Sequence, residues 1–453
     1  MRSAADPMGG TGGPTRGRAP GGAKPRVRCG DSEPNDEITD ERDAGACPPS
    51  DDTVEPVEAA ALWASSGLAW LTGTPDGTPE FSRAPVLTRA LEVGRRITVT
   101  TGVAIDVPNL LSGRAALLGL RRRGDMSAGG ATALSAALDG WCALTLSRAA
   151  DVETVPALLE SDAVESDPWP AIREWAARRP AEEITERARL LGLPAATLGE
   201  TAPAAPRIRR AGPRGPARGV AGGLVVDLTS MWAGPLCTRL LAEAGATVVK
   251  VESPRRPDGT RGGEPAFFDW MNGGKLCWAA DLDTDADSLR DLLAVADIVL
   301  EGSRPAALER RGLGPHDIPA RSGRVWLRIT GHGTEGPAAD HVAFGDDAAV
   351  SGGLVGGAPR RPVFCGDAIA DPLTGLEAAA AVLDALGRGG GELVELSMAA
   401  VAATYAALPR APRDSTFPAL APARPTDIGP RAGAVGADTD TVRRLVAGRL
   451  AAC

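Results

Sequence analysis

Aromatic residues make up only 4% of this 453-residue chain, and histidine occurs three times. The seven cysteines (Cys29, Cys47, Cys142, Cys237, Cys277, Cys365, Cys453) form no CxxC pair, and His316, His332 and His341 do not stand near them at ligand spacing. That weighs against structural zinc and against a disulfide framework, and favours reduced thiols in a cytoplasmic protein. The stretch MRSAADPMGGTGGPTRGRAP has no apolar segment of the secretory kind. No run reaches the roughly 20 apolar residues that would span a bilayer. Lys and Arg are not in excess, with a net charge of −9. Nucleic acid is therefore not the expected partner, although a local basic cleft for an anionic cofactor stays open. The turn after the apolar strand VVDL, TSMWAGP, lacks GxGxxG and has only Gly234, and GxxxxGK[ST] is absent, so neither a dinucleotide fingerprint at that turn nor a P-loop is expected.

What is present is 43% hydrophobic residues, enough for packed cores, with 56 Gly and 38 Pro that mark loops. Residues 1–55 read as a disordered tail, because DSEPNDEITDERDAGACPPSDD cannot bury enough apolar surface to offset its ordering entropy. Residues 56–202 read as a smaller folded region: AIREWAARR and EITERARLLGLP have helical apolar spacing, and WCALTLS alternates like a strand. A Pro/Gly/Arg segment at 203–220 reads as a linker. From 221 to 405 continuous apolar strands (GLVVDL, TVVKVE, DIVLEG, RVWLRITG, ELVELSM) alternate with helices such as GPLCTRLLAEAG and LEAAAAVLDALG. That pattern predicts an α/β fold with a doubly wound parallel, Rossmann-like sheet, accompanied by the smaller α+β domain. Residues 406–453 read as a connector and a C-terminal helix. In such a sheet ligands lie at the carboxyl ends of the strands.

The ordered motifs VVDLTSMWAGPLCTRLLAEAGATVVKVESP, DGTRG, MNGGKLCWAADL, ADIVLEGSRPAALERRGLG, ITGHGTEGP, GDAIADPLTG and GGGELVELSM resemble the family III CoA-transferases. This group includes formyl-CoA transferase, carnitine CoA-transferase and alpha-methylacyl-CoA racemase. SSGLAWLTGTPDGTP, GDMSAGGATALSAALDGWCAL and AIREWAARRPAEEITERARLLGLPAA resemble the family's smaller domain, here placed before the nucleotide-type fold. That order reads as a permuted chain or the remnant of a tandem fusion.

The resemblance implies an enzyme that moves CoA from an acyl-CoA to a carboxylic acid, with no metal. Asp371 falls where the family's nucleophilic aspartate lies. Local sequence alone reads Asp371, before Pro372, as a helix N-cap, and an anion stabilised at a helix start is also the form that attacks. Gly129 and Gly130 match the family's glycine loop and are candidate oxyanion donors, or else a simple turn. Arg261, Lys275 and Arg310 fall on positions expected to grip CoA phosphates, with Arg310 the leading cation and a solvated helix-face arginine its alternative. Met231, Trp232 and Ala233 form the cofactor-facing turn, Trp232 being either a channel wall or core. Asp367 is expected to cap or face solvent, and Asp346 and Asp347 stay outside the assignment.

Two other functions remain open: a 2-methylacyl-CoA racemase using a His–Asp pair, with His341 ahead of His332 as the base, and a non-catalytic CoA-binding or assembly protein. The family forms interlocked dimers, so a homodimer is expected.

Overall fold

The computed structural model describes residues 55–161, 165–302 and 306–451. The tail read over 1–55 therefore lies almost wholly outside the described residues, as do Cys29, Cys47 and Cys453. The described residues contain twelve strands. Three short ones, β1 (Thr132–Ala136), β2 (Trp141–Thr145) and β3 (Ala195–Thr197), make an antiparallel sheet in that order. Then follow β4 (Arg207–Arg210), β5 (Leu224–Leu228), β6 (Thr247–Glu252), β7 (Leu276–Ala279), β8 (Ile298–Glu301) and β9 (Val325–Thr330). A hairpin, β10 (Val355–Ala358) and β11 (Arg361–Phe364), precedes β12 (Glu392–Ser397).

The main sheet has seven strands in the order β4-β12-β9-β8-β5-β6-β7. All neighbours are parallel except β4, which runs antiparallel to β12. Counted from β5, the parallel strands follow the doubly wound order 3-2-1-4-5-6, whose reversal lies between β5 and β8.

Period-two alternation explains why both sheet faces need helices. Val225, Ile298, Leu300, Val325, Leu327, Ile329 and Val394 point into one core. Leu224, Val226, Val299, Trp326 and Leu393 point into another. The first core takes helices Ala233–Glu243 and Ala370–Gly387; the second takes Ala286–Val295 and the C-terminal helix Thr439–Ala451 through Val442 and Val446. Each fully buried Leu or Val contributes about 1.5–3 kcal/mol relative to exposure, so these alternating rows hold the register.

The first core is not confined to the nucleotide-type fold. Trp63, Leu68, Phe81, Leu87, Val93 and Leu111, all upstream of the sheet, belong to it. Arg83 reinforces the junction: its buried guanidinium donates to the carbonyls of Val355 (2.8 Å), Gly353 (2.9 Å) and Ala406 (2.8 Å). Within the Pro/Gly/Arg segment read as a linker, β4 closes the sheet edge. Its arginines pair outward, Arg209 with Glu395 (2.7 Å) and Arg207 with Glu335. A charged, short edge strand of this sort resists further pairing. Among the described residues no helix is long and apolar enough to cross a membrane.

Candidate active site

A cavity of about 590 Å³ opens where the turns after β5, β8 and β9 meet. These turns follow the carboxyl ends of parallel strands, where the fold leaves room for a ligand. Leu228–Met231 and the first residues of helix Ala233–Glu243, Ala233 and Gly234, form one wall. Free N–H groups at such a helix start suit an anion. Arg148, Arg256 and Arg310 add three guanidinium groups to the lining, and Asp371 supplies a carboxylate. Arg148 is held by Asp151 (2.5 Å), whereas Arg256 and Arg310 make no ion pair among the described residues.

Asp371 is brought there by close helix packing. Helix Ala370–Gly387 crosses the start of helix Ala233–Glu243 at Gly375, where a Cβ would lie 2.8 Å from the Ala233 carbonyl and 2.9 Å from Leu236 Cδ2. Only glycine permits that approach, and Asp371 stands one turn earlier on the same helix. The N-cap position is Ile369, and no side chain caps this helix. Asp371 therefore lies inside the first turn, which corrects the local reading of it as the cap. Its Oδ2 instead accepts from the N–H of Gly345, 3.1 Å away, at the start of helix Gly345–Ser351. A Cβ on Gly345 would sit 2.4 Å from that oxygen, so glycine is required there too.

The surroundings do not favour the anion as a simple helix start would. Burial pushes the Asp371 carboxyl up to about 7; Arg114 opposes the rise, Asp346 adds to it, the Gly345 N–H opposes it and Asp367 adds again. Asp346 is likewise pushed up to about 7, first by burial and then by Asp367. It accepts from the Ala368 N–H (3.0 Å) and is bonded by the Ser127 hydroxyl. Asp347, fully buried, is also pushed up to about 7, first by burial. Its Oδ1 takes the Thr145 hydroxyl (2.9 Å) and the Phe344 N–H (3.0 Å), while Oδ2 has no partner among the described residues. Asp367 neither caps nor faces solvent: it is buried and both its oxygens lie 2.7 Å from Arg114 Nη1. Two non-glycine residues take left-handed backbone beside the cavity, Met231 (φ 73°) and Ala368 (φ 43°). Each stores roughly 1–3 kcal/mol of strain, a cost typical of sites that must hold a defined shape.

Of the residues singled out from sequence, Asp371, Met231, Ala233 and Arg310 line this one cavity. Trp232 does not; its ring is buried and stands edge-on to Phe267 at 5.4 Å, in the core. Arg261 is turned away, paired with Glu252 (2.6 Å), bonded to the Gly433 carbonyl and stacked on Phe268. Lys275 is fully buried and donates to Asp227 (3.1 Å), Pro235 O, Thr238 Oγ1 and Asn272 Oδ1. Burial outweighs Asp227 and pushes Lys275 down to about 8, while at Asp227 Lys275, the neighbouring buried Lys250 and the hydroxyls of Thr229 and Thr238 together outweigh burial and bring it to about 2. These two cations hold the turn of the fold rather than line the cavity. Gly129 and Gly130 form the turn before β1 and are not in the cavity lining; the residue of that loop that reaches the aspartates is Ser127.

Sequence reasoning missed Arg114, Arg148, Arg256 and Gly345, and left Asp346 outside the assignment. Arg256 was the most accessible of these, since it follows the carboxyl end of β6 in KVESPRRPDG. His341 also lines the cavity, and burial together with Arg189 lowers its pKa, so it is neutral near pH 7. Among the described residues no group of three or more His, Cys, Asp or Glu side chains is arranged to hold a metal.

The fold thus places a carboxylate and arginines together at its strand ends, a setting that suits an anionic ligand, and comparison with known proteins shows what this segment is similar to. Residues 220–419 match the model of CoA-transferase family III. A succinyl-CoA–D-citramalate CoA-transferase of Chloroflexus aurantiacus is 31% identical over 191 residues, 38% of this chain and 48% of that protein. A probable fatty acyl-CoA transferase of Mycobacterium tuberculosis is 33% identical over 185 residues, 38% and 47% of the two chains. Human succinyl-CoA:glutarate CoA-transferase is 32% identical over 178 residues, 36% and 40%. The chain thus spans about half the length of the curated relatives it matches. A crystal structure of a CAIB/BAIF family protein from Brucella suis is 30% identical, with 43% of this chain and 56% of that one covered and a TM-score of 0.38.

Proposed function

We propose that the protein transfers CoA from an acyl-CoA to a carboxylic acid through a covalent intermediate on Asp371. The observation that carries this reading is the position of Asp371. It is the carboxylate lining the arginine-bearing cavity at the strand ends, within the segment matched by the family. Asp371 attacks the thioester carbonyl; the new O–C bond forms, the C–S bond breaks and CoA thiolate leaves. The thiolate attacks the aspartyl carbonyl of the mixed anhydride and expels the first acid as its carboxylate. An acceptor carboxylate attacks the resulting aspartyl thioester and releases the thiolate again. The thiolate then takes the acceptor's acyl group and frees Asp371. Thioester energy is conserved throughout, so no ATP or metal is consumed.

Burial suits the nucleophile. A carboxyl group that titrates near neutrality is more basic than a solvated one, yet about half ionised at pH 7. Arg256 and Arg310, with the helix start at Ala233 and Gly234, fit the phosphates of CoA in charge and exposure. Gly129 and Gly130 would have to move, or a second subunit supply donors, for the oxyanion role read from the glycine loop. A homodimer follows from the same family reading and is checked by sedimentation.

The test is to incubate the protein with acyl-CoA, trap with hydroxylamine and map the product. A hydroxamate at Asp371, absent in Asp371→Ala, supports transfer. A second reading, racemisation of a 2-methylacyl-CoA, is favoured by one observation: His341, neutral near pH 7, lines the cavity with Asp371. Deuterium entering the α-carbon without acyl exchange would select it. Tight CoA binding with neither outcome would select a binding module.

A further inference from the structure

The helix Val107–Leu118, far upstream in sequence, places Arg114 against the turn that leads into Asp371. Its guanidinium lies 2.7 Å from both oxygens of Asp367 and 5.4 and 5.6 Å from the ring centres of Trp232 and Phe267. The two rings and the carboxylate leave it little freedom, and a cation over aromatic faces in a desolvated place is itself favourable. Asp367 opens the strained turn, Ala368 gives its N–H to Asp346, and Asp371 receives the N–H of Gly345. Three carboxylates, Asp346, Asp367 and Asp371, thus crowd one place, and Arg114 is the cation that acts on them.

We propose that Arg114 is a positioning residue for Asp371: it anchors the Asp367–Asp371 turn and supplies the positive charge that lets the reactive carboxylate ionise among its acidic neighbours. The inference rests on Asp371 being the reactive group, but its test needs no CoA. The groups facing Asp371 are Arg114 from helix Val107–Leu118, Gly345 N–H and Asp346 from helix Gly345–Ser351, and Asp367 from its own turn. His341, Arg148, Arg256 and Arg310 line the same cavity as Asp371, and the largest influences on its ionisation are burial, Arg114, Asp346, the Gly345 N–H and Asp367.

Two variants give opposite signs. Arg114→Gln removes the cation and leaves Asp367, so Asp371 must become harder to ionise. Asp367→Asn removes a like charge, keeps the shape and leaves Arg114 uncompensated, so Asp371 must become easier to ionise. A water-soluble carbodiimide with a small amine labels protonated carboxyls, and peptide mass spectrometry reads the label on Asp371 from pH 5 to 9. The labelling midpoint is expected to rise by about one pH unit in Arg114→Gln and to fall by about one in Asp367→Asn, each approaching a roughly tenfold change in label at pH well above the midpoint. Arg114→Lys should stay near the wild-type midpoint. A purely structural ion pair predicts that both broken pairs behave alike; midpoints that move the same way, or not at all, overturn the proposal. If Arg114→Gln does not fold, as circular dichroism would show, the near-isosteric Asp367→Asn decides alone: a fall supports the proposal and a rise or no change refutes it. Failure of acyl transfer in the wild type would leave these midpoints readable, so the two ideas fail separately.

Discussion

Replacing Gly345 by alanine probes the site with a single methyl group. Gly345 begins a helix and its backbone is not in the left-handed region, so alanine costs nothing conformationally. The new Cβ would lie 2.4 Å from Asp371 Oδ2, 2.3 Å from the Ala368 carbonyl oxygen and 2.8 Å from the Ala368 carbonyl carbon. Ordinary contact needs about 3.4 Å or more, so Asp371 must retreat by roughly 1 Å. A displacement of that size costs on the order of 10²-fold in rate, because the reacting atoms lose their approach distance. The lengthened Gly345 N–H bond adds to the loss, and overpacking costs stability by about 1–3 kcal/mol. The assay is the rate of acyl transfer or of hydroxamate formation, alongside the thermal midpoint of the variant. A folded Gly345→Ala protein working within threefold of wild type would refute the placement of Asp371 against this helix start.

The transfer rate should rise with pH through about 7 and level off above it, since the anion attacks and burial has raised Asp371; the rate at pH 6 is expected roughly tenfold below that at pH 8. Arg256→Ala and Arg310→Ala should each raise the KM for acyl-CoA roughly tenfold with a smaller change in kcat, and the effect should shrink in high salt. Lys275→Met should leave Asp227 buried without its partner and destabilise the fold by about 3–5 kcal/mol in denaturant titration, without the salt-dependent KM effect of the cavity arginines.

The main sheet was legible because its strands are buried on both faces and so read as continuous apolar runs, from GLVVDL to ELVELSM. Met231, Ala233 and Arg310 were legible through the resemblance, and Met231 and Ala233 stand just after β5, where a parallel sheet opens to a ligand. Lys275 and Arg261 were not, because a cation in a Gly-rich turn looks the same whether it meets a phosphate or a buried carboxylate such as Asp227 or Glu252. Nor was β4, whose RIRR has no apolar run and exists as a strand only because β12 offers it an edge. Arg114 was hidden by distance in the chain, since the pair Arg114–Asp367 joins positions 253 residues apart, and the burial that turns Asp346 and Asp367 toward Asp371 has no local sequence signal. Electrostatics of that kind reversed the expected effect of the helix start on Asp371, since burial and two neighbouring carboxylates outweigh one N–H bond and one arginine.

The most direct measurement is mass spectrometry of the protein after acyl-CoA and hydroxylamine, with peptide mapping across residues 365–375. The account predicts a hydroxamate on Asp371 alone, formed faster at pH 8 than at pH 6. CoA transfer proceeding undiminished in Asp371→Ala, or turnover with that peptide unmodified, would contradict it.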